Sequence, residues 1–228
     1  VCALHKERVP TLRRESCDIC IQIYSKGIRV ADAKYEALRD VRAAVGIIQA
    51  SKDFPAIMPE VQVNVVAAIP GAKDIYDVAG VPGRITKVEG SARAFMLPEF
   101  GASTHMAEVL LAAMRVKPQV RATVNIAYNS YIDKAMKLVS LKSIKFSRTR
   151  LPRELIRGEK AVLHVINGLS QTEKEIPDVI VDEGGYWVEP ISYIFSPSAT
   201  QVATLAVKIA EAVANLRQAQ GTRRIGKA

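Results

Sequence analysis

Cysteine is scarce in this sequence and is confined to one end of it. Only three cysteines occur, all within the first twenty residues, which is not the pattern of a secreted domain held together by disulfides. No apolar run is long enough to span a membrane, and no signal peptide is visible. We therefore expect a cytoplasmic protein with reduced thiols and no membrane partner.

The phosphate-binding motifs of the common nucleotide folds are also missing. Neither G-x-G-x-x-G nor the Walker A pattern occurs, so those folds lack support. No internal repeat or low-complexity tract is present. What remains is a chain with 49% hydrophobic residues and a formal net charge of +9. Such a charge is typical of a solvated surface, of a site for anionic small molecules, or of a nucleic-acid surface.

The first 32 residues contain all the cysteines, in a spacing that suits a metal. Cys2-x-x-His5 and Cys17-x-x-Cys20 form two pairs of the ligands that tetrahedral zinc prefers. We predict a zinc module or linker over residues 1–32, with three reduced thiols and a surface histidine as the alternative. Because the chain begins with Val1 and not Met, we expect more sequence to precede this module.

Helical and strand patterns alternate along the rest of the chain. The clearest predicted elements are a helix over 32–50 that Asp32 caps, a strand over 61–69, a hairpin at 89–90, a helix over 159–166, and a final helix from Ser198 to about 216. Elements mixed in this order predict an α/β fold with three layers, α/β/α, around a mixed sheet. The predicted main domain spans 33–216, and residues 217–228 form a basic tail.

A sharp turn that opens a helix is predicted near residue 101. Gly101 permits the turn, and Ser103 or Thr104 can cap the helix that follows. The free N–H groups at a helix N-terminus suit phosphate. His105 lies in that first turn, where its imidazole can give or take a proton. The alternative is an ordinary capped helix with a packed histidine.

Other loops rich in small and polar residues supply further candidates. The candidate ligand-binding residues are Asn64, Pro70, Gly71, Ala72, Arg84, Gly101, Ala102, Ser103, Thr104, Arg121, Asn125, Asp182 and Glu183. Arg84 offers a bidentate fork for phosphate, or pairs with a surface carboxylate. Asp182 and Glu183 can hold a divalent cation such as Mg²⁺ on a pyrophosphate, or form a turn at a strand end.

Aromatic and histidine side chains elsewhere are interpreted more simply. His164 lies within an apolar helix, which predicts a packed core histidine. Tyr186 and Trp187 are predicted to belong to the core or to the rim of a site, and not to a cofactor cage.

Six motifs, in the same order along the chain, resemble those of the archaeal ThiN domain family. They are Pro59-Glu60-Val61-x-x-Asn64-Val65, Ala68-Ile69-Pro70-Gly71-Ala72, Asp77-Val78-Ala79-Gly80-Val81-x-Gly83-Arg84-Ile85, Phe100-Gly101-Ala102-Ser103-x-His105, Arg121-Ala122-x-Val124-Asn125-Ile126-x-Tyr128 and Pro177-Asp178-Val179-Ile180. The resemblance covers about residues 33–216.

The resemblance implies a thiamine-phosphate synthase with an AraD-like (class II aldolase-like) architecture. That reaction joins hydroxymethylpyrimidine pyrophosphate to thiazole phosphate and releases pyrophosphate. The family's important arginine and histidine fall on Arg84 and His105, which we assign to the pyrophosphate and to the leaving oxygen. From side-chain chemistry alone, Asn64 and Asn125 are predicted to read the pyrimidine edge, and Arg121 to hold the thiazole phosphate.

A branch of the same family resembles transcriptional regulators and suggests an alternative function. There a helix-turn-helix precedes a ThiN sensor domain, which binds thiamine phosphate without turnover. DNA would be a partner of this chain only if a DNA-binding domain is encoded upstream. A homodimer is also an option in either case.

Overall fold

The computed structural model of the protein describes residues 12–156, 158, 160–172 and 175–225. The chain divides into two compact units, residues 1–36 and residues 37–228. Helix α1 (Leu12–Ala50) passes through that division. The prediction that Asp32 caps this helix is wrong, because the helix begins twenty residues earlier and no proline interrupts it.

The second unit has the following elements after α1, in chain order. They are β1 (Val65–Ala68), β2 (Val78–Gly80), β3 (Ile85–Val88), β4 (Ser91–Ala94), β5 (Glu99–Phe100), α2 (Thr104–Val116), β6 (Ala122–Ala127), α3 (Ser130–Leu138), β7 (Ser143–Phe146), α4 (Ala161–Gln171), β8 (Val179–Asp182), β9 (Ile191–Ser196) and α5 (Ala199–Ile225). Single turns of 3-10 helix, such as Arg148–Arg150, lie between some of them.

Seven of the strands form one mixed sheet in the order β5-β2-β1-β6-β9-β8-β7. Its neighbouring strands are antiparallel except for β7 and β8, which are parallel. Strands β3 and β4 form a separate hairpin, with its turn at Glu89-Gly90 as predicted. Every residue of β1, β8 and β9 is buried, as expected for strands covered on both faces.

Helices cover both faces of this sheet. On one face Val66 and Ile180 pack with Leu110 of α2 and Ile166 of α4 in one apolar cluster. On the other face α5 contacts β1, β6 and β9, and α3 packs against α5. The predicted three-layer α/β/α architecture with a mixed sheet is therefore confirmed.

The last helix begins against a carboxylate from α1. Asp40 accepts hydrogen bonds from the backbone N–H groups of Ala199 (2.6 Å) and Thr200 (3.0 Å). The Ser198 hydroxyl also accepts from the N–H of Gln201 at 3.3 Å, so the predicted cap is present but shared. A carboxylate at a helix N-terminus is stabilising because it meets the unpaired N–H groups and the positive end of the dipole.

Several predicted boundaries are wrong. The strand predicted over 61–69 is regular only at β1, because Gln62 has a left-handed backbone (φ 68°) that breaks the extended run. Helix α4 includes Gly168, since tertiary packing outweighs the low helix propensity of glycine. The prediction that His164 is a core residue is wrong, because His164 is exposed. It lies two positions along α4 from the buried Val162 and therefore faces a different side of the helix. Helix α5 continues to Ile225 and so includes most of the predicted tail.

Asp133 on α3 accepts hydrogen bonds from three side chains. Its carboxylate contacts Tyr128 Oη at 3.1 Å, Lys137 Nζ at 2.9 Å, and Lys145 Nζ. Burial by itself would raise the pKa of Asp133, but the hydrogen bonds from the lysines and the tyrosine outweigh it and lower that pKa to about 2. The charged carboxylate therefore stabilises the fold.

Asp133→Asn is expected to lower the free energy of unfolding by about 1 kcal/mol at pH 7, discounted for solvent screening. The folded pKa lies below the unfolded one, so this stabilisation is complete above about pH 4 and disappears as the pH falls toward 2. Urea unfolding at pH 7, 5 and 3 measures the difference. Glu108→Gln, at an exposed carboxylate on α2, is the control. A deficit that stays constant down to pH 3 contradicts the argument.

Candidate functional site

A cavity of about 230 Å³ lies at the end of the sheet where β1 and β9 begin and β6 ends. The first turn of α2 and the loop between β8 and β9 close its sides. Its lining residues are Val61, Gln62, Asn64, Arg84, Ser103, His105, Met106, Asn125, Arg148, Trp187, Val188, Glu189, Ile191 and Tyr193. The structure thus brings Arg84 and His105, the two residues implied by the family resemblance, to one cavity.

Arg84 stands on a tight turn before β3. Its backbone N–H bonds the carbonyl of Val81 at 3.1 Å, and its backbone is left-handed (φ 67°). The guanidinium is exposed at the cavity and donates from Nη1 to the carbonyl of Val61. A non-glycine residue with this backbone is uncommon, and such strain persists where the surroundings impose it, often at functional sites.

Asn64 holds the Arg84 turn in place. Its side chain is 3% exposed, and both ends of its amide bond the main chain of Val81, with Nδ2 donating at 2.9 Å and Oδ1 accepting at 3.0 Å. Buried amides need such partners, since an unsatisfied one costs free energy. The Asn64 amide also has a second N–H and a second lone pair on its oxygen, so its predicted role in reading a pyrimidine edge stays a prediction.

Asn125 holds in place the segment before β1 that contains Asn64. Its Oδ1 accepts the backbone N–H of Asn64 at 2.7 Å, and its Nδ2 donates to the carbonyl of Gln62 at 2.9 Å. The side chain is 6% exposed. Asn125 is thus a positioning residue also, and its predicted contact with the pyrimidine stays a prediction.

His105 is held from the side by a tyrosine on β9. Its Nε2 lies 3.0 Å from the Oη of Tyr193, and the two rings meet edge to face at 5.9 Å. Tyr193 is 5% exposed and pairs with Asn125 across the strands. Ser103 is the N-cap residue of α2, as predicted, although its side chain makes no capping hydrogen bond. The ring of His105 therefore has a fixed place at the helix N-terminus.

Arg148 is a second guanidinium in the cavity, and it is almost completely buried at 6% exposure. Its Nε donates to both oxygens of Asp182 (3.1 and 2.9 Å), and its Nη2 lies 2.7 Å from one of them. Both Nη1 hydrogens are used by the carbonyls of Ile156 (3.1 Å) and Gly158 (2.8 Å). An arginine has five N–H donors, so one Nη2 hydrogen has no partner among the described residues.

Asp182 is thereby the counter-ion of Arg148, which corrects its predicted role as a cation ligand. It is 1% exposed, and its Oδ1 also accepts the N–H of Gly184 at 2.9 Å. Glu183 is exposed and does not line the cavity. These two carboxylates do not fit a divalent cation. Among the described residues, no cluster of three His, Cys, Asp or Glu side chains is arranged to hold a metal.

Other predicted ligand residues lie elsewhere. Pro70, Gly71, Ala72 and Arg121 are at the opposite end of β1 and β6, because these strands are antiparallel and β1 alone spans about 13 Å. Gly101, Ala102 and Thr104 lie in the predicted turn and first helical residue of α2, but they do not line the cavity. Only Asn64, Arg84, Ser103, His105 and Asn125 of the predicted set do so.

The four predicted zinc ligands lie in the first twenty residues of the chain. Cys2 and His5 are outside the described residues, and Cys17 and Cys20 are on α1 with side chains that are not described. The backbone of the second pair is helical and not a turn. The zinc module therefore stays a prediction.

Arg148 is missed by reasoning from sequence, although a signal exists. Arg148 follows β7 by two residues, and β8 ends in Asp182. Parallel pairing of Phe146 with Asp182 places Arg148 beside that carboxylate. Tyr193, inside an apolar strand, gives no comparable signal.

Glu189 is also missed, and it fixes the loop that receives Arg84. Its carboxylate accepts the backbone N–H groups of Glu60 (2.7 Å) and Val61 (3.2 Å). The carbonyl of Val61 in turn accepts from Arg84. No local pattern predicts this contact, since 128 residues separate Glu189 from Val61.

The sequence matches the family model for thiamine-phosphate synthase ThiN over residues 40–208. It is 34% identical over 174 residues to thiamine-phosphate synthase ThiN of Methanothermobacter thermautotrophicus, which covers 75% of this chain and 91% of that protein. It is also 33% identical over 150 residues to the bifunctional thiamine biosynthesis protein ThiDN of Methanocaldococcus jannaschii. That match covers 64% of this chain and 34% of that longer protein.

A solved structure shares the fold of this chain. The C-terminal domain of a phosphomethylpyrimidine kinase superposes with a TM-score of 0.68 and 30% identity, covering 78% of this chain and 99% of that domain. L-fuculose-1-phosphate aldolase from Thermus thermophilus is a weaker match, with a TM-score of 0.46 and 9% identity. That match covers 80% of this chain and 96% of that chain. The family match over most of the sequence, with 34% identity to a named member, shows that the chain belongs to the thiamine-phosphate synthase ThiN family.

Proposed function

We propose that this chain condenses hydroxymethylpyrimidine pyrophosphate with thiazole phosphate to give thiamine phosphate and pyrophosphate. The observation that carries the proposal is one cavity lined by Arg84, His105 and Arg148. Two guanidinium groups beside an imidazole suit a substrate whose leaving group is a pyrophosphate. Family membership makes the same reaction the first expectation.

The reaction breaks the bond between the pyrimidine methylene carbon and the bridging oxygen of the pyrophosphate. The leaving oxygen takes the electron pair, and the thiazole nitrogen supplies the pair that forms the new carbon–nitrogen bond. Negative charge therefore gathers on the pyrophosphate. Preset donors around such a group lower the barrier because they need no reorganisation during the step.

The three cationic or protonatable groups divide this work. Arg84, exposed at the mouth of the cavity, binds the outer phosphate, and its hydrogen bond to Val61 aligns it. Arg148 offers its remaining Nη2 hydrogen from the cavity wall. His105 hydrogen-bonds or protonates the leaving oxygen from the first turn of α2, where backbone N–H groups add positive potential.

Tyr193→Phe is expected to lower kcat about tenfold and to change KM for either substrate by less than about twofold. The hydroxyl orients the imidazole of His105 and touches no substrate in this scheme, and a misoriented acid loses part of its general-acid contribution. Steady-state kinetics across pH 6–9 measure kcat and KM, and a shift of the pH profile of kcat is a second readout. A rise in KM with kcat unchanged contradicts the positioning role.

The proposal itself is tested by incubating the purified chain with the two substrates and measuring pyrophosphate and thiamine phosphate. Their formation in equal amounts supports synthesis. Tight binding of thiamine phosphate without turnover would instead support the sensor alternative. The two named relatives are a synthase and a biosynthesis protein, and neither is named as a regulator.

The remaining expectations belong to the same proposal. A divalent cation that arrives on the pyrophosphate is tested by assaying turnover with Mg²⁺ and with EDTA. The described part of the chain contains no helix with the length and apolarity needed to cross a bilayer. Cytoplasmic location, a homodimer, a DNA partner and the zinc module stay predictions.

A further inference from the structure

Trp187 occupies a position at the cavity that the fold itself does not require. It is the third residue of the tight turn from Gly185 to Val188, whose ends exchange two backbone hydrogen bonds of 3.1 Å. Its indole is 84% exposed, yet it lines the cavity that contains Arg84 and His105. Trp187 is also the only tryptophan in the sequence.

The backbone at Trp187 is unfavourable for so large a residue. Its φ is +65°, a left-handed conformation that glycine adopts readily and that is a genuine outlier for a bulky side chain. Because most of the indole is in solvent, its burial contributes little to folding. Glycine would serve this turn better, so the gain from tryptophan must come from something other than the fold.

The turn is nevertheless tightly built. Gly184 precedes it with φ +72°, and a Cβ atom there would lie 2.5 Å from the carbonyl oxygen of Val188. Tyr186 meets Trp187 edge to face, with ring centroids 5.2 Å apart and an angle of 73°. Tyr186 does not line the cavity. Tyr186 therefore contacts the indole from outside the cavity, and Trp187 lines it.

The cavity is therefore lined both by cationic donors, Arg84 and Arg148, and by an exposed aromatic side chain, Trp187. A ligand that matches both is an anion joined by a short link to a heteroaromatic ring. We propose that Trp187 is the ring-binding residue of this site, and that its indole stacks on the heteroaromatic ring of a phosphorylated substrate. The identity of this ring rests on the proposed function. The inference that the ligand contains a heteroaromatic ring does not.

Intrinsic fluorescence tests the contact directly, because a single tryptophan supplies the signal. Thiamine phosphate, which has both rings, is expected to quench the emission of the wild-type protein on titration. Inorganic pyrophosphate, which has none, is expected to bind without comparable quenching, as calorimetry would show. Equal quenching by the two compounds would overturn the proposal, since it would report a change without stacking.

Substitutions separate the ring from the anion. Trp187→Ala is expected to weaken binding of thiamine phosphate by about 5- to 150-fold, the range that loss of one base-stacking aromatic produces, and to leave the affinity for pyrophosphate unchanged. Trp187→Phe should retain affinity within about threefold. Trp187→Gly should lose as much as alanine while its Tm equals or exceeds that of the wild type, because the backbone strain is relieved.

Phe95→Ala is the matched control, at a 75% exposed aromatic residue that does not line the cavity. It is expected to alter affinity by less than about threefold. Equal affinity of Trp187→Ala and wild type for thiamine phosphate overturns the inference, as does an equal loss for thiamine phosphate and pyrophosphate. Separate KM values for the pyrimidine and thiazole substrates then show which ring is stacked.

Failure of the proposed function gives a different result. If the chain makes no thiamine phosphate, this compound can still quench its fluorescence only when Trp187 is present. That result contradicts the proposed activity and supports Trp187 as the ring-binding residue. A chain that turns over normally in the Trp187→Ala variant, with unchanged KM for both substrates, keeps the activity and lacks the ring-binding residue.

Discussion

Replacing Arg84 or His105 by alanine is expected to lower kcat/KM for thiamine phosphate synthesis by about 100- to 1,000-fold, the cost of removing one preset donor from a charged transition state. The protein should remain folded, because the Arg84 side chain is exposed and its turn is held by Asn64 through main-chain bonds. Kinetics with both substrates, together with circular dichroism, measure the two parts of this prediction.

The chain offers matched controls for both substitutions. Arg93 is an exposed arginine on the β3–β4 hairpin, and His164 is an exposed histidine on α4. Neither lines the cavity, so Arg93→Ala and His164→Ala should keep at least about half of the wild-type rate. Normal turnover in both Arg84→Ala and His105→Ala would remove the proposed site.

Asp182→Asn is expected to lower the free energy of unfolding by about 3–5 kcal/mol, which is the usual cost of leaving one member of a buried ion pair without its partner. The pair is 6% and 1% exposed, so the charge of Arg148 would stay in a poorly solvated place. Urea unfolding at pH 7 measures the change. The neighbouring Glu183→Gln, at an exposed carboxylate, should have no measurable effect.

A double variant separates the structural and functional uses of this pair. Arg148→Met combined with Asp182→Leu removes both charges, and apolar replacements of similar size are often neutral or stabilising. We expect most of the lost stability to return while turnover stays at least about tenfold below wild type, because the second guanidinium is gone. Wild-type turnover in the double variant would show that Arg148 serves the fold alone.

The candidate site could be predicted in part from local sequence. Arg84 and His105 follow turns whose signals are short and contiguous, and their motifs carry the family resemblance. Only the family resemblance implied that Arg84 and His105 lie in one cavity. The fold places them there because β1 begins beside the end of β6, and α2 starts close to the same end of the sheet.

The two asparagines have a positioning role that side-chain chemistry alone does not predict. Asn64 and Asn125 have the right groups to read a heterocycle, and both line the cavity. Their hydrogen-bonding groups, however, face the main chain of Val81, Gln62 and Asn64. A buried amide takes the nearest satisfying partner, and which partner is nearest depends on strand pairing and not on residue type.

The sequence by itself determined the layered α/β class, the family and the two residues at the centre of the proposed chemistry, because these depend on periodicity and short motifs. Only the tertiary structure decided that Arg148 belongs to the cavity, that Asp182 is its counter-ion, and that Pro70 and Arg121 lie at the opposite end of the sheet. These outcomes depend on strand order and direction. Contacts between residues far apart in the chain leave no local pattern from which to predict them.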